Sequence, residues 1–207
     1  ITEEVLAHLR AGGTSLTLNA LANGATIATA GLLKQQEKAI AFRLDTLSLS
    51  RGNASLASSA PTNFVWADGV LSIDRLALAT RGGGATVSGK AGETLDLNVD
   101  LRALPLSLAD LAAPGLGLSG TLSGTARVEG PAATPNGTYS LTITRVSTPD
   151  LAANGVGPLD LRADGRLSGG RVTTNTSISG RHLSGFTITG SAPLGAGNLD
   201  LAMRGAL

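Results

Sequence analysis

In the stretch TLDLNVDLRA, leucine or valine takes every second position. Leu95, Leu97, Val99 and Leu101 fall on one side and Asp96, Asn98, Asp100 and Arg102 on the other. Successive side chains of a strand point to opposite faces, so this segment is a strand with one dry face and one wet face. The pattern recurs along the chain: at Leu16 and Leu18, at Ile40, Phe42 and Leu44, at Leu71 and Ile73, and at Leu76 and Leu78. It returns from Leu122 to Val128, at Leu141 and Ile143, at Leu159 and Leu161, and from Val172 to Ile178. Phe186 and Ile188 and then Leu199 and Leu201 complete it.

The phase slips by one residue between Leu44 and Leu47 and again between Ile73 and Leu76. A one-residue slip turns the apolar set to the wrong face, so a bulge or bend is expected at Asp45-Thr46 and at Asp74-Arg75. Clusters of Gly, Asn, Asp and Ser (ANGA, RGN, ADG, RGGG, KAGE, PNG) punctuate the strands about every ten residues, the spacing of an antiparallel meander. Ser168-Gly169-Gly170 is the clearest hairpin signal. Helix is scarce: TEEVLAHLRAGG and LSLADLAAPG each suit one short helix, and LLKQQEKA reads as a polar helical turn or a long loop. No shift in composition divides the chain, so 1–207 is read as a single segment. Its one soft boundary is near 129–137, in EGPAATPNG. The C-terminal LDLAMRGAL stops in mid-alternation, which suggests a slice of a longer protein.

The apolar share is 42%, yet only Phe42, Phe64, Trp66, Tyr139 and Phe186 are aromatic. The dry face is therefore aliphatic. Five scattered rings do not build the two girdles of a bilayer-spanning barrel, and the uneven strand spacing does not suit a β-helix. Lys plus Arg number 16 against 15 Asp plus Glu, with no basic stripe, which argues against nucleic acid. Cysteine is absent, so disulfides and thiolate metal sites are excluded.

Two motifs suggest nucleotide chemistry and fail on context. Gly84 to Lys90 (GATVSGK) fits the first seven positions of a phosphate-binding loop, but Ala91 stands where Ser or Thr must hold Mg²⁺. A strand-like segment follows where a helix is required. GLGLSG, Gly115 to Gly120, has a helical stretch before it and a strand after, the reverse of a dinucleotide site. His8 and His182 have no neighbouring ligand set. No catalytic centre, cofactor site or metal site is assigned.

Against these negatives stands a resemblance. VDLRALPLSLADLAAPGLGLSGTLSGTARVEGPAATPNGTYSLTIT, Val99 to Thr144, resembles the β repeat region of the AsmA/TamB-like family, whose TamB members are translocation and assembly module proteins. GVGPLDLRADGRLSGGRVTTNTSISG and FTITGSAPLGAGNLDLAMRGAL resemble its continuation. The likeness runs from about Leu71 to Leu207 and is looser before that. It implies an all-β fold: an elongated, mainly antiparallel sheet curled into an open β-taco-like groove with an aliphatic interior and one or two short helices. It also implies a periplasmic segment of an inner-membrane-anchored protein in a Gram-negative bacterium. Such proteins carry phospholipid between the membranes, support outer-membrane protein assembly, and partner an Omp85-type outer-membrane barrel.

The residues themselves are compatible with the groove, since phospholipid acyl chains gain roughly 0.8 kcal/mol per CH₂ removed from water. The dry-face residues named above are then the groove lining. Alternation alone is equally served by a closed β-sandwich in which the same leucines are core. A third reading is a scaffold whose open sheet edges pair with unfolded outer-membrane strands.

Overall fold

The computed structural model describes residues 13–22, 24–36, 38–113, 115–181 and 183–206. The expected helix TEEVLAHLRAGG lies outside the described residues except for Gly13, and His8 and His182 lie outside them altogether. The fold is all-β: among the described residues, one antiparallel sheet of 14 strands with only short helical connections.

The strands are β1 (Thr14–Ala22), β2 (Ala25–Gln36), β3 (Ala39–Arg51), β4 (Ala54–Ser58), β5 (Thr62–Ala67), β6 (Val70–Thr80) and β7 (Gly83–Ala91). They continue with β8 (Thr94–Pro105), β9 (Ser119–Pro131), β10 (Asn136–Ser147), β11 (Leu159–Ser168), β12 (Arg171–Gly180), β13 (Leu183–Pro193) and β14 (Asp200–Ala206). A 3₁₀ turn (Leu106–Leu108) and helix α1 (Ala109–Ala112) link β8 to β9, and helix α2 (Pro149–Ala153) links β10 to β11. Neighbours in sequence are neighbours in the sheet, with one exception. β4 and β5 follow each other in a single lane between β3 and β6. Thirteen lanes at ~4.8 Å give a sheet about 58 Å long.

The sheet does not close: β1 pairs only with β2, and β14 only with β13. Among the described residues no second sheet packs on it, so these strands do not form the sandwich alternative. The accessible surface of 12746 Å² exceeds the roughly 8,900 Å² of a compact monomer of 20.6 kDa. Among the described residues only Ala25, Gly31, Leu44, Ala54, Thr62 and Pro135 are buried.

Both expected slips are β-bulges. The β2–β3 register shifts between Ala30 and Gly31, which leaves Asp45 unpaired on β3, and β6 shifts between Ile73 and Leu76. The same spacing, two residues between apolar ones, marks bulges that the sequence reading passed over. They fall between Leu101 and Leu104, between Ile143 and Val146, and between Leu183 and Phe186. A bulge leaves backbone groups without ladder partners, and a neighbouring side chain repeatedly takes their place. Ser58 Oγ accepts from the Leu47 N–H at 2.9 Å, Ser123 Oγ from Ala103 at 2.9 Å, and Asp160 Oδ1 from Arg145 at 2.7 Å. Thr62 Oγ1 donates to the Arg75 carbonyl at 2.9 Å.

One local expectation changes. LLKQQEKA changes from helical turn or long loop to strand, because Leu32 to Gln36 complete β2 and Ala39, paired with Gln36, opens β3. The polar run sits there because it is the rim of a strand pair. Residues 129–137 form the hairpin between β9 and β10, with Asn136 opposite Glu129. Helix α2 went unread although Thr148 caps it, accepting from the Leu151 N–H at 3.2 Å, and Pro149 opens it. The Ser168–Arg171 hairpin is as expected. Gly169 and Gly170 both have positive φ, at 56° and 72°, which a two-residue turn of this hand needs.

Candidate functional site

The strand register decides which side chains share a face, because directly paired residues in an antiparallel sheet project to the same side. Starting at Leu78, pairing runs through Ala85, Leu101, Gly124, Leu141, Ala163, Thr176 and Ile188 to Met203, nine strands in one line. A parallel line runs from Ile73 through Gly89, Leu97, Val128, Gly137, Leu167 and Val172 to Ala192. On the N-terminal side, Leu71 pairs with Trp66, Trp66 with Ile40, and Phe42 with Phe64 and Leu33. Leu16 and Leu18 pair with Gly31 and Thr29, which face Leu44 and Leu47.

Leu76, Leu95, Val99, Leu122, Ile143, Leu159, Leu161, Ile178, Phe186 and Leu201 join the same face. Of the lining residues expected from sequence, Leu199 alone departs. It stands just before β14 and is exposed. Its alternation with Leu201 is real, but the loop from β13 ends one residue too late for it to enter the ladder.

Apart from Leu199, the residues expected as lining therefore share one face, and Phe64, Trp66 and Tyr139, which the sequence reading left out of that set, stand on it as well. Large side chains lie down over glycines of the neighbouring strand. A Cβ at Gly31 would stand 2.7 Å from the Phe42 ring, and one at Gly165 would stand 2.5 Å from the Tyr139 ring. Tyr139 reaches over Gly165 to donate its hydroxyl to the Thr173 carbonyl at 3.3 Å. Phe42 and Phe64 lie with centroids 6.2 Å apart, a distance at which tilted rings attract.

This strip is less accessible than the polar face. In β12, Thr174 and Thr176 on the aliphatic side are half-buried while Thr173 on the polar side is exposed, although the side chains are identical. Crowding on one side and splaying on the other is what a sheet curved toward its aliphatic face produces. At both ends of the sheet the strip opens, with Leu18 55% and Met203 63% exposed.

The opposite face is a ladder of short ion pairs along single strands: Arg43–Asp45 at 2.9 Å, Arg102–Asp100 at 2.8 Å and Arg127–Glu129 at 3.2 Å. Arg127 also reaches Asp96 at 3.5 Å and Asn98 Oδ1 at 3.3 Å. A hollow of about 370 Å³ lies on this face between Ser88, Asn98, Arg127 and Thr138. Across it Arg127 bonds Asn98. This open hollow is on the polar side, and the aliphatic side is a broad strip exposed at both ends of the sheet.

Gly84–Lys90 lies within β7 and is followed directly by β8, so the phosphate-loop spelling belongs to a strand. Gly115 to Gly120 connects α1 to β9. Among the described residues no group of three or more His, Asp or Glu stands together as a metal site. None of their helices is long and apolar enough to cross a membrane. Comparisons with protein-family models, with curated proteins and with solved structures give no match.

Proposed function

We propose that this chain is a non-enzymatic segment of a hydrophobic conduit that holds phospholipid acyl chains along its aliphatic face. In this reading it is a periplasmic part of an inner-membrane-anchored protein, carries phospholipid between inner and outer membranes, and supports outer-membrane protein assembly. Its partner is an Omp85-type barrel. The observation that carries the proposal is the aliphatic strip running across an open sheet, over which, among the described residues, only the short segment after β8 is laid. Each methylene laid on that strip gains up to roughly 0.8 kcal/mol, without directional groups to hold it in one place. Weak, sliding contact of that kind suits passage better than capture. Photo-crosslinking in cells, with the probe at Leu97, Leu161 and the polar-face control Asp96, tests this. Phospholipid adducts at both leucines and none at Asp96 are expected. Adducts equal at all three positions, or only intramolecular ones at the leucines, would reject the conduit.

A second reading, a scaffold for unfolded β-strand clients, is favoured by the sheet edges. β1 carries no charge, proline or bulge over nine residues, and its Leu16, Leu18 and Leu21 are exposed. Natural sheets usually block such an edge. Protein adducts concentrated at Leu18 and Met203, with no lipid adducts at Leu97, would select this reading.

A further inference from the structure

At one place the aliphatic face is covered by its own chain. After β8 the backbone does not turn straight into β9. The 3₁₀ turn Leu106–Leu108 lies against β4, and α1 lies against β3, three and four lanes from β8 in the sheet. The side it covers is the aliphatic one. Register places Ala25, Arg51 and Ala54 there at the rim, two residues beyond Ile27, Leu49 and Leu56. Ala25 and Ala54 are both 6% exposed, although each is the first residue of its strand. Arg51 Nη1 donates to the Asp110 carbonyl at 3.1 Å. Among the described strand residues, Arg51 is the one charge that the pairing register puts on this face.

The covering segment is built to stay only loosely. Seven residues of 3₁₀ and α-helix are far too few to be stable alone, and none of Leu106–Leu108 is buried. Asp110 Oδ1 accepts from the N–H groups of Leu116 and Gly117 at 3.0 and 3.4 Å, which ties the return path to the segment itself. Leu106, Leu108 and Leu111 remain half-buried. These are aliphatic side chains standing where an acyl chain would lie, and a handful of buried methylenes would match their hold.

We propose that residues 106–113 are a displaceable rim flap. It covers the strip at β3 and β4 and competes there with acyl chains, which enter only in a minority open state, with Arg51 as its tether. The proposal rests on the conduit reading, and the test separates the two. A photo-crosslinking residue is placed at Leu56, beneath the flap, or at Leu161, in the uncovered section, and the purified protein is incubated with phosphatidylglycerol vesicles. Lipid adducts at Leu56 are expected to be about tenfold fewer than at Leu161, the ratio expected when the covered state dominates by that factor. Loosening the flap with Leu108→Ser plus Leu111→Ser should bring Leu56 to within about twofold of Leu161. Arg51→Lys, a milder loosening, should raise Leu56 partway, and it serves if the double variant fails to fold by circular dichroism. Leu161 labelled and Leu56 unchanged in folded variants would make the segment a fixed brace and overturn the flap. Leu56 labelled as strongly as Leu161 in the unaltered protein would also overturn it. No lipid adduct at either position in any variant would overturn the conduit reading and the flap with it.

Discussion

β11 and β12 on one side, and β3 to β6 on the other, are written in the same alternating code but are packed differently. β11 and β12 alternate half-buried and exposed residues for ten positions each, and neither holds a buried residue. β2 to β5 hold five of the six buried residues, Ala25, Gly31, Leu44, Ala54 and Thr62. There the lane between β3 and β6 is broken into β4 and β5, a bulge faces the break from either side, and the Leu106–Ala112 segment lies against β3 and β4. Thr62, at the break, is only 1% exposed and bonds the bulge of β6. Alternation thus builds the sheet and assigns the faces. Burial comes from irregularities that let the chain fold back over its own face.

The comparison breaks most readily at its best-packed leucine. Leu44→Ala should cost about 2–4 kcal/mol in urea unfolding, as buried leucines do. Leu201→Ala, at 43% exposure in the last strand, should cost under about 1 kcal/mol. Equal losses would mean that the two regions are packed alike. Gly165→Val comes next. Its branched side chain has to enter the space of the Tyr139 ring, so about 1–3 kcal/mol of overpacking is expected from the same assay. A neutral result would show that the ring does not lie over β11.

Smaller effects sharpen the role of the bulges. Ser123→Ala strands the Ala103 N–H at a part-buried site and should cost about 1–2 kcal/mol. Asp160→Ala does the same to Arg145 at an exposed site, where water substitutes, so less than about 1 kcal/mol is expected. A reversed order in thermal melts would contradict the assignment of buried and exposed bulges. Smallest is Arg127→Ala, which removes exposed ion pairs and should change stability by no more than about 0.5 kcal/mol. Any larger loss would give the polar face a structural role that its exposure does not support.

Much of this was legible. The alternation fixed the strands and their faces because a half-buried sheet tolerates no one-residue error. Asp45-Thr46 and Asp74-Arg75 announced their bulges by breaking that rhythm. Leu101 to Leu104, Ile143 to Val146 and Leu183 to Phe186 carry the same mark, so those bulges were readable too. Thr148-Pro149-Asp150 likewise spelled a helix start. What sequence did not carry was relation at a distance. LSLADLAAPG reads as a short helix, but nothing local says that it reaches strands β3 and β4. SSAPT reads as a break, but nothing local says that β4 and β5 share a lane. Leu199 shows the converse limit, since a correct alternation has no structural meaning until the partner strand begins.

The central claim is that the aliphatic strip, and not the polar face, receives acyl chains. Because the chain has no cysteine, single cysteines at Leu161 and at its neighbour Arg162 report the two faces separately through their maleimide labelling rates. With phosphatidylglycerol bound, the account predicts that Leu161→Cys slows by about tenfold while Arg162→Cys keeps its rate. Equal slowing at both positions, or at neither, would contradict it.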